Sequence, residues 1–326
     1  MNSYPTLNQR ADRGHSHIKS WLLAGVCLTL VTTAQPSKAV SDDTLPYFNA
    51  DGSRTANLEE AAQSWRNDSE FRANWGQAAI KAEYAYARGI TGRGVNVGVI
   101  DTGTDRRHSE FAGDGKLNSI TVTGIRTSTD PNQGGPRVGD RFNLIGNDPQ
   151  QSTYGNQGTG LNHGTHVAGT IAANRDGRGM MGVAYDASLT AANGSLHGEG
   201  YRIDNMAFRD AAIFDKIYQE YIRLGTRAIN NSWGTGTNNS FRQAVQQLLS
   251  RPERSVRDSE IDALSAGIVL IRSNGNSGGV VGGPLPLQGY FQPEFEDLVL
   301  QVTNLSTTTQ LDWSSTRCGQ NKWTCV

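Results

Sequence analysis

The sequence predicts an α/β protein in three layers, a mostly parallel sheet with helices on both faces. Three observations lead there. Apolar runs of strand length recur at residues 95–100, 187–192, 227–232, 268–271 and 298–305. Stretches with helical patterning separate them at 163–173, 206–224, 240–249 and 258–266, and alternation of this kind builds parallel sheets through right-handed crossovers. Finally, Asp101, the run Ser232-Trp233-Gly234 and the run Asn274-Gly275-Asn276 all fall at predicted C-terminal strand ends. Ligands of open α/β sheets bind in the crevice beyond those ends.

Residues 1–39 stand apart from that fold. Arg10, Arg13 and Lys19 precede an apolar run at 21–31, and Ser37-Lys38-Ala39 offers a small-x-small cleavage site, the order of a secretory signal peptide. A buried N-terminal helix is the competing reading. Cys27 sits as in a lipoprotein box, but the branched Val26 before it makes lipidation the weaker expectation. The signal implies export to the periplasm, the cell surface or the medium. An exported chain is free to hold disulfides, and Cys318 and Cys325, seven positions apart in a polar stretch, are expected to close a small loop. Two cysteines cannot make a structural zinc site. With 30 basic and 31 acidic residues the net charge is -1, without the basic excess usual in a nucleic-acid binder, so none is expected as a partner.

Residues 40–91 read as a largely helical N-terminal extension. Within 58–88, Ala, Glu, Gln and Arg predominate, and Trp65, Phe71, Trp75, Ile80 and Tyr84 lay a loose apolar stripe against the domain that follows. Gly89 and Gly92 stop it. The domain proper spans 92–326. Its first strand, 95–100, delivers Asp101 into a Thr-Gly turn, and 117–129 holds a further strand or edge element. Residues 130–160, rich in Gly, Pro, Asn and Asp, are expected to form a long surface excursion at the rim of the site. The helix at 163–173 stops at Asn174-Arg175-Asp176-Gly177, and a loop at 193–205 follows the next strand. The helix at 206–224 carries Phe208, Phe214, Ile217, Tyr218, Tyr221 and Ile222 on its apolar positions. Pro252 separates the helices at 240–249 and 258–266, a Gly- and Pro-rich loop occupies 278–289, and the last twenty residues read as polar and irregular.

The chemistry concentrates in two places. Asp101 lies at a strand end and His163 at a helix start about sixty positions on. Brought together on one sheet, they form the orienting acid and the base of a serine hydrolase. Taken singly, the acid only caps a turn and the histidine is only a polar residue at a helix start. The helix dipole disfavours a proton there and is expected to leave the His163 ring neutral. Asn162 can cap the same helix, Gly164 permits close approach, and the Thr165 hydroxyl can fix the turn. His166 has no nearby acid ligand and no HEXXH context, so no metal is expected and it reads as a structural, hydrogen-bonded histidine. Asn276 sits in a Gly-Asn-Ser-Gly turn after a buried strand, where its amide can donate to an oxyanion; Asn274 and Asn276 also suit the turn itself. Ser232-Trp233-Gly234 can offer an extended edge to a peptide, with Trp233 as a hydrophobic wall and Gly234 leaving room for pairing.

Together VIDTG (99–103), HGTHVAG (163–169), GMMGVAYDASL (179–189), NSWG (231–234) and NGNSG (274–278) resemble the subtilisin-like (subtilase) serine peptidases, from about Gly92 to Leu305. The resemblance implies that Asp101 orients His163 and that His163 is general base and then general acid. Asn276 would be the oxyanion residue, Ser232 to Gly234 the substrate-binding segment, and peptide-bond hydrolysis would pass through an acyl-enzyme. It implies polypeptide substrates and no required cofactor; structural calcium is compatible, although no ligand run here is specific for it. The signal, the helical extension and the tail STRCGQNKWTC (315–325) further resemble passenger domains of bacterial autotransporter serine peptidases. A full-length form of that kind would carry an outer-membrane translocator barrel, which these residues do not encode.

One element of the family pattern is missing. No Gly-Thr-Ser-x-Ala-x-Pro run occurs, and the nucleophile would be expected beyond Val326. Ser277, Ser314 and Ser315 lack the strand-to-helix presentation that exposes a nucleophile. The chain therefore reads as truncated, 92–326 as a partial peptidase domain with its C-terminal part incomplete, and the product as having little or no activity. The alternative is a non-catalytic peptide-binding or structural remnant. A nucleotide-binding protein is disfavoured, because no GxGxxG follows the first strand and no Walker A run is present.

Overall fold

A computed structural model of the protein describes residues 44–125, 141–148, 162–194, 211–233, 256–276, 278–279, 292–319 and 324–326. The chain divides into two compact units, Met1–Val40 and Ser41–Val326, and every described residue belongs to the second.

The extension opens with a small antiparallel hairpin, β1 (Tyr47–Phe48) and β2 (Arg54–Thr55). Four short helices follow: α1 (Leu58–Asn67), α2 (Ser69–Ala73), α3 (Trp75–Ala79) and α4 (Glu83–Tyr86). The single helix expected over 58–88 is therefore interrupted. The side chain of Asp68 accepts from the backbone N–H of Glu70 and Phe71, and that of Asn74 from Gly76. Each capping residue takes an extended backbone, so it stops one helix and starts the next. Lys81 then adopts a left-handed φ of 58°. These breaks split the expected stripe. Trp65 and Phe71 are buried with Tyr86 and Met181, whereas Trp75 and Ile80 are 51% and 61% exposed. Tyr84 joins a surface network with Arg66 and Glu59.

The remaining elements are β3 (Asn96–Asp101), β4 (Leu117–Ser119), β5 (Thr121–Ile125), β6 (Arg141–Ile145), α5 (His163–Ala172), β7 (Ser188–Asn193), α6 (Ala211–Arg223), β8 (Ala228–Asn231), α7 (Val256–Ser265), β9 (Val269–Ser273) and β10 (Val299–Val302). β6 corrects the reading of 130–160 as one loop, because Arg141–Ile145 pairs antiparallel with β5. The helix expected at 240–249 lies outside the described residues, as do most of the loops at 193–205 and 278–289.

Six strands form one parallel sheet in the order β10-β9-β8-β3-β7-β4. Alternation along β3 assigns its two faces. Val97 and Val99 pack with Ala168, Ala172 and Leu189, under α5. Ile100 packs with Phe214, Ile217 and Tyr221 of α6, and with Ala263 and Leu264 of α7. Both faces are covered, as a parallel sheet requires. Each fully buried Leu, Ile or Val side chain contributes about 1.5–3 kcal/mol. Gly98 is needed within β3, because a Cβ there would come 2.7 Å from the Tyr221 ring. The Tyr221 hydroxyl in turn donates to a backbone carbonyl, Thr190 O at 2.9 Å or Val99 O at 3.1 Å, and so ties α6 to the sheet.

The end of the chain is more regular than its composition predicts. Thr324 and Val326 bond to Gln301 of β10, a parallel bridge pairs Cys325 with that residue, and a disulfide joins Cys318 to Cys325. β3 lies between β7 and β8, so the chain changes its side of β3 in passing from one to the other. The crevice at such a switch point is where an open α/β sheet binds its ligands.

Candidate active site

Asp101 is the last residue of β3, and 1% of its side chain is exposed. Its Oδ1 accepts from the backbone N–H of Thr102 at 2.7 Å and lies 2.7 Å from Nδ1 of His163. Its Oδ2 is buried and has no hydrogen-bond partner among the described residues. His163 opens α5, and half of its side chain is exposed. A carboxylate acceptor holds the imidazole proton on Nδ1 and leaves Nε2 of the neutral ring as an acceptor.

The contact depends on the residue types around it. Gly164 sits so close to the Thr-Gly turn that a Cβ would lie 2.3 Å from Gly103 O and 3.1 Å from Asp101 Cβ. The Thr102 hydroxyl accepts the N–H of Gly164 at 3.0 Å, satisfying one of the free donors of the first helical turn. The Thr165 hydroxyl accepts from Asp105 N at 2.9 Å and fixes the other side of the turn. Thr102 went unrecognised in the sequence; its signal was a β-hydroxyl directly after the candidate acid. Asn162 has no side-chain capping bond, so the Thr102 hydroxyl serves α5 where Asn162 was expected to. His166 is exposed and its ring makes no hydrogen bond among the described residues, against its reading as a structural, hydrogen-bonded histidine.

Asp101 acts on the proton balance at His163 in the opposite sense to the helix dipole. The Asp101 hydrogen bond, and secondarily the Asp101 charge, raise the ring above its ordinary value of 6.5, while partial burial opposes them. A helix terminus contributes about 0.3–1 kcal/mol. A hydrogen bond to a charged group contributes about 1.5–3 kcal/mol, so the carboxylate prevails.

The other predicted residues are placed less fully. Asn276 is exposed just past β9, two strands from Asp101, and Gly275 before it has a φ of 106°. Asn274 is buried and its amide donates to the carbonyls of Thr316 at 2.9 Å and Arg317 at 2.7 Å, which ties the turn to the tail. Asn274 thus serves turn geometry. Ser232 accepts from Asn230 Nδ2 at 2.9 Å. Trp233 is 6% exposed, lies at a tilt against Phe214 and donates Nε1–H to Ile100 O at 3.0 Å, so most of its surface is turned to the core. Gly234 and Ser277 lie outside the described residues. Ser314 bonds Asp312, and the buried Ser315 accepts from Asn304 N, both within the C-terminal turn. Among the described residues, no group of three or more His, Cys, Asp and Glu is placed to hold a metal, and no helix is long and apolar enough to cross a membrane.

A parallel sheet covered on both faces, with a buried acid at its mouth set against a helix-borne imidazole, defines a class of α/β protein. Within that class the chain belongs to the subtilase family, whose model matches residues 92–326. It is 30% identical over 305 residues to an extracellular serine protease of Serratia marcescens, covering 82% of this chain and 25% of that one. A second extracellular serine protease of the same organism is 37% identical over 171 residues, covering 52% of this chain and 12% of that one. The chain therefore spans a quarter or less of the length of these two relatives. Among solved structures, fervidolysin from Fervidobacterium pennivorans, described as a keratinolytic enzyme related to subtilisin, aligns with a TM-score of 0.45 and 22% identity, over 78% of this chain and 31% of that one.

Proposed function

We propose that these residues form part of an exported serine endopeptidase in which Asp101 orients His163. His163 takes the proton of a serine nucleophile through Nε2, then returns it to the leaving amine. The observation that carries this reading is the 2.7 Å contact between Asp101 Oδ1 and His163 Nδ1, made by a buried acid and a half-exposed ring. An acid in that position holds the useful tautomer and stabilises the imidazolium that forms. Asn276 is assigned as the oxyanion donor, and the backbone at Ser232 to Gly234 as the seat of an extended polypeptide substrate. The extracellular relatives and the signal-like residues 1–39 support export. This reading needs a nucleophile in a Gly-Thr-Ser-x-Ala-x-Pro context, and the 326 residues contain no such run. A fluorogenic peptide assay on the purified chain should accordingly be flat, and a longer form carrying that motif should cleave and lose cleavage with His163→Ala. Turnover by the 326-residue chain that His163→Ala abolishes would refute the missing nucleophile. A longer form whose turnover survives His163→Ala would refute the role of His163.

A further inference from the structure

We propose that Trp233 is a positioning residue for Asp101, an indole clamp that sets the end of β3 and hence the reach of the carboxylate to His163. The proposal rests on the reading of Asp101 and His163 as a working pair.

Its basis is the identity of the group that the indole holds. Trp233 Nε1–H donates to the carbonyl of Ile100 at 3.0 Å. That oxygen belongs to the same planar peptide unit as the amide nitrogen of Asp101, so holding the oxygen fixes the plane from which the Asp101 Cα and side chain project. A small tilt of this plane swings Oδ1, which sits 2.7 Å from His163 Nδ1. Hydrogen bonds tolerate only a few tenths of an ångström before weakening, so the pair is sensitive to such a tilt. Groups one step removed from a site act in this way on the ligands they orient.

The indole also borders a buried polar cluster. The Arg272 guanidinium lies 5.2 Å from the Trp233 ring centroid and pairs with Glu260. The Tyr218 hydroxyl is within hydrogen-bond distance of Glu260 Oε1, at 3.1 Å, and of Asn231 Oδ1, at 3.2 Å. Arg272, Glu260, Tyr218 and Asn231 are all at most 1% exposed. Asn231 directly precedes Ser232, and Arg272 stands on β9 four residues before Asn276. The cluster and the indole therefore tie together the ends of β3, β8 and β9, the three strand ends from which the candidate site is assembled. A tryptophan that only filled the core would also seek a partner for its N–H. The clamp predicts more, namely that the loss of that one bond is felt at His163.

Two NMR measurements test this on the intact chain. The Trp233 indole N–H should exchange with solvent only at the rate of global unfolding; rapid exchange overturns the clamp without any substitution. The His163 ring, identified by the signal lost in His163→Ala, should titrate at a lower midpoint in Trp233→Phe, which keeps an aromatic ring and removes the donor. Phe71→Leu, in the buried cluster of the extension, should lower the melting temperature and leave that midpoint in place. A Trp233→Phe protein that melts earlier while His163 titrates unchanged would make Trp233 a core residue and nothing more. Failure of the pair itself looks different, because Asp101→Asn would then leave the wild-type His163 midpoint where it was.

Discussion

Removing the His163 ring should destabilise the protein at acid pH and do so less and less as the pH rises. In the wild type the Asp101 hydrogen bond raises the ring above 6.5, so the folded state holds that proton more tightly than the unfolded chain. A group with a raised folded pKa lends its full stabilisation below the unfolded value and loses it as the pH climbs through the folded value. The bond is short, at 2.7 Å, and its acceptor is almost fully buried. Hydrogen bonds to charged groups contribute about 1.5–3 kcal/mol, and the half-exposed ring places this one toward the lower end, about 1–2 kcal/mol, through solvent screening. Urea denaturation of wild type and His163→Ala at about pH 5, 7 and 9 measures it as a difference in midpoint at constant m-value. The gap between the two proteins should be widest at the lowest pH and narrow steadily above it. A gap independent of pH, or one that widens toward alkaline pH, would refute the assignment of Asp101 as the group that stabilises the protonated ring. The same shift bears on catalysis, since a base must be neutral: the acid limb of activity in a form carrying a nucleophile should lie above the value of an isolated histidine.

Two further outcomes are expected from other parts of the molecule. Cys318→Ser should remove about 2.5 kcal/mol, the loop-closure value for about eight residues, and reducing agent should destabilise the wild type but not the variant in thermal melts. Gln77→Ala should cost about 2 kcal/mol in denaturant, because Gln77 is fully buried, donates to Met181 O at 2.7 Å and accepts from the Tyr86 hydroxyl at 2.8 Å. Limited proteolysis of that variant should give its first new cuts within residues 175–185; unchanged midpoints or cuts confined elsewhere would refute the anchoring role.

What could be read from the sequence was whatever local chemistry alone decides. β3 was legible because its alternation and its exit into Asp-Thr-Gly leave one placement for the acid, and α5 because His-Gly-Thr-His opens a run of small apolar residues. The breaks in the extension were not, since no glycine or proline marks Asp68 or Asn74 as a boundary; there a polar side chain competes with the helix for backbone N–H groups. β6 was hidden by its surroundings, because Gly, Pro, Asn and Asp dominate residues 130–160 while Phe142, Leu144 and Ile145 give only a five-residue signal for a partner of β5. The burial of Trp233 was not legible for another reason. This residue lies past the end of β8, where strand alternation no longer says which way a side chain points. The bond that raises His163 comes from a partner 62 residues away, which the dipole of its own helix cannot indicate.

The extension and the site meet α5 at opposite ends, and this separates their effects. Gln77 donates to the carbonyl of Met181, the Tyr86 hydroxyl lies within hydrogen-bond distance of Val183 O as an alternative to Gln77 Oε1, and Glu70 accepts from the N–H groups of Asp176 and Arg178. Arg175 donates to Ala50 O and Asp68 Oδ2 and lies over the Trp65 ring. All of these anchors fall on the segment that leads from the C-terminal end of α5 toward β7, whereas His163 is at the N-terminal end. A ten-residue helix places those ends about 15 Å apart. Contacts at the far end therefore hold the helix in position without touching the mouth of the sheet. Two variants that lose similar stability, one in the extension and one at Asp101, should differ in whether the His163 proton moves with it. Stability alone cannot tell them apart, and the titration of that ring can.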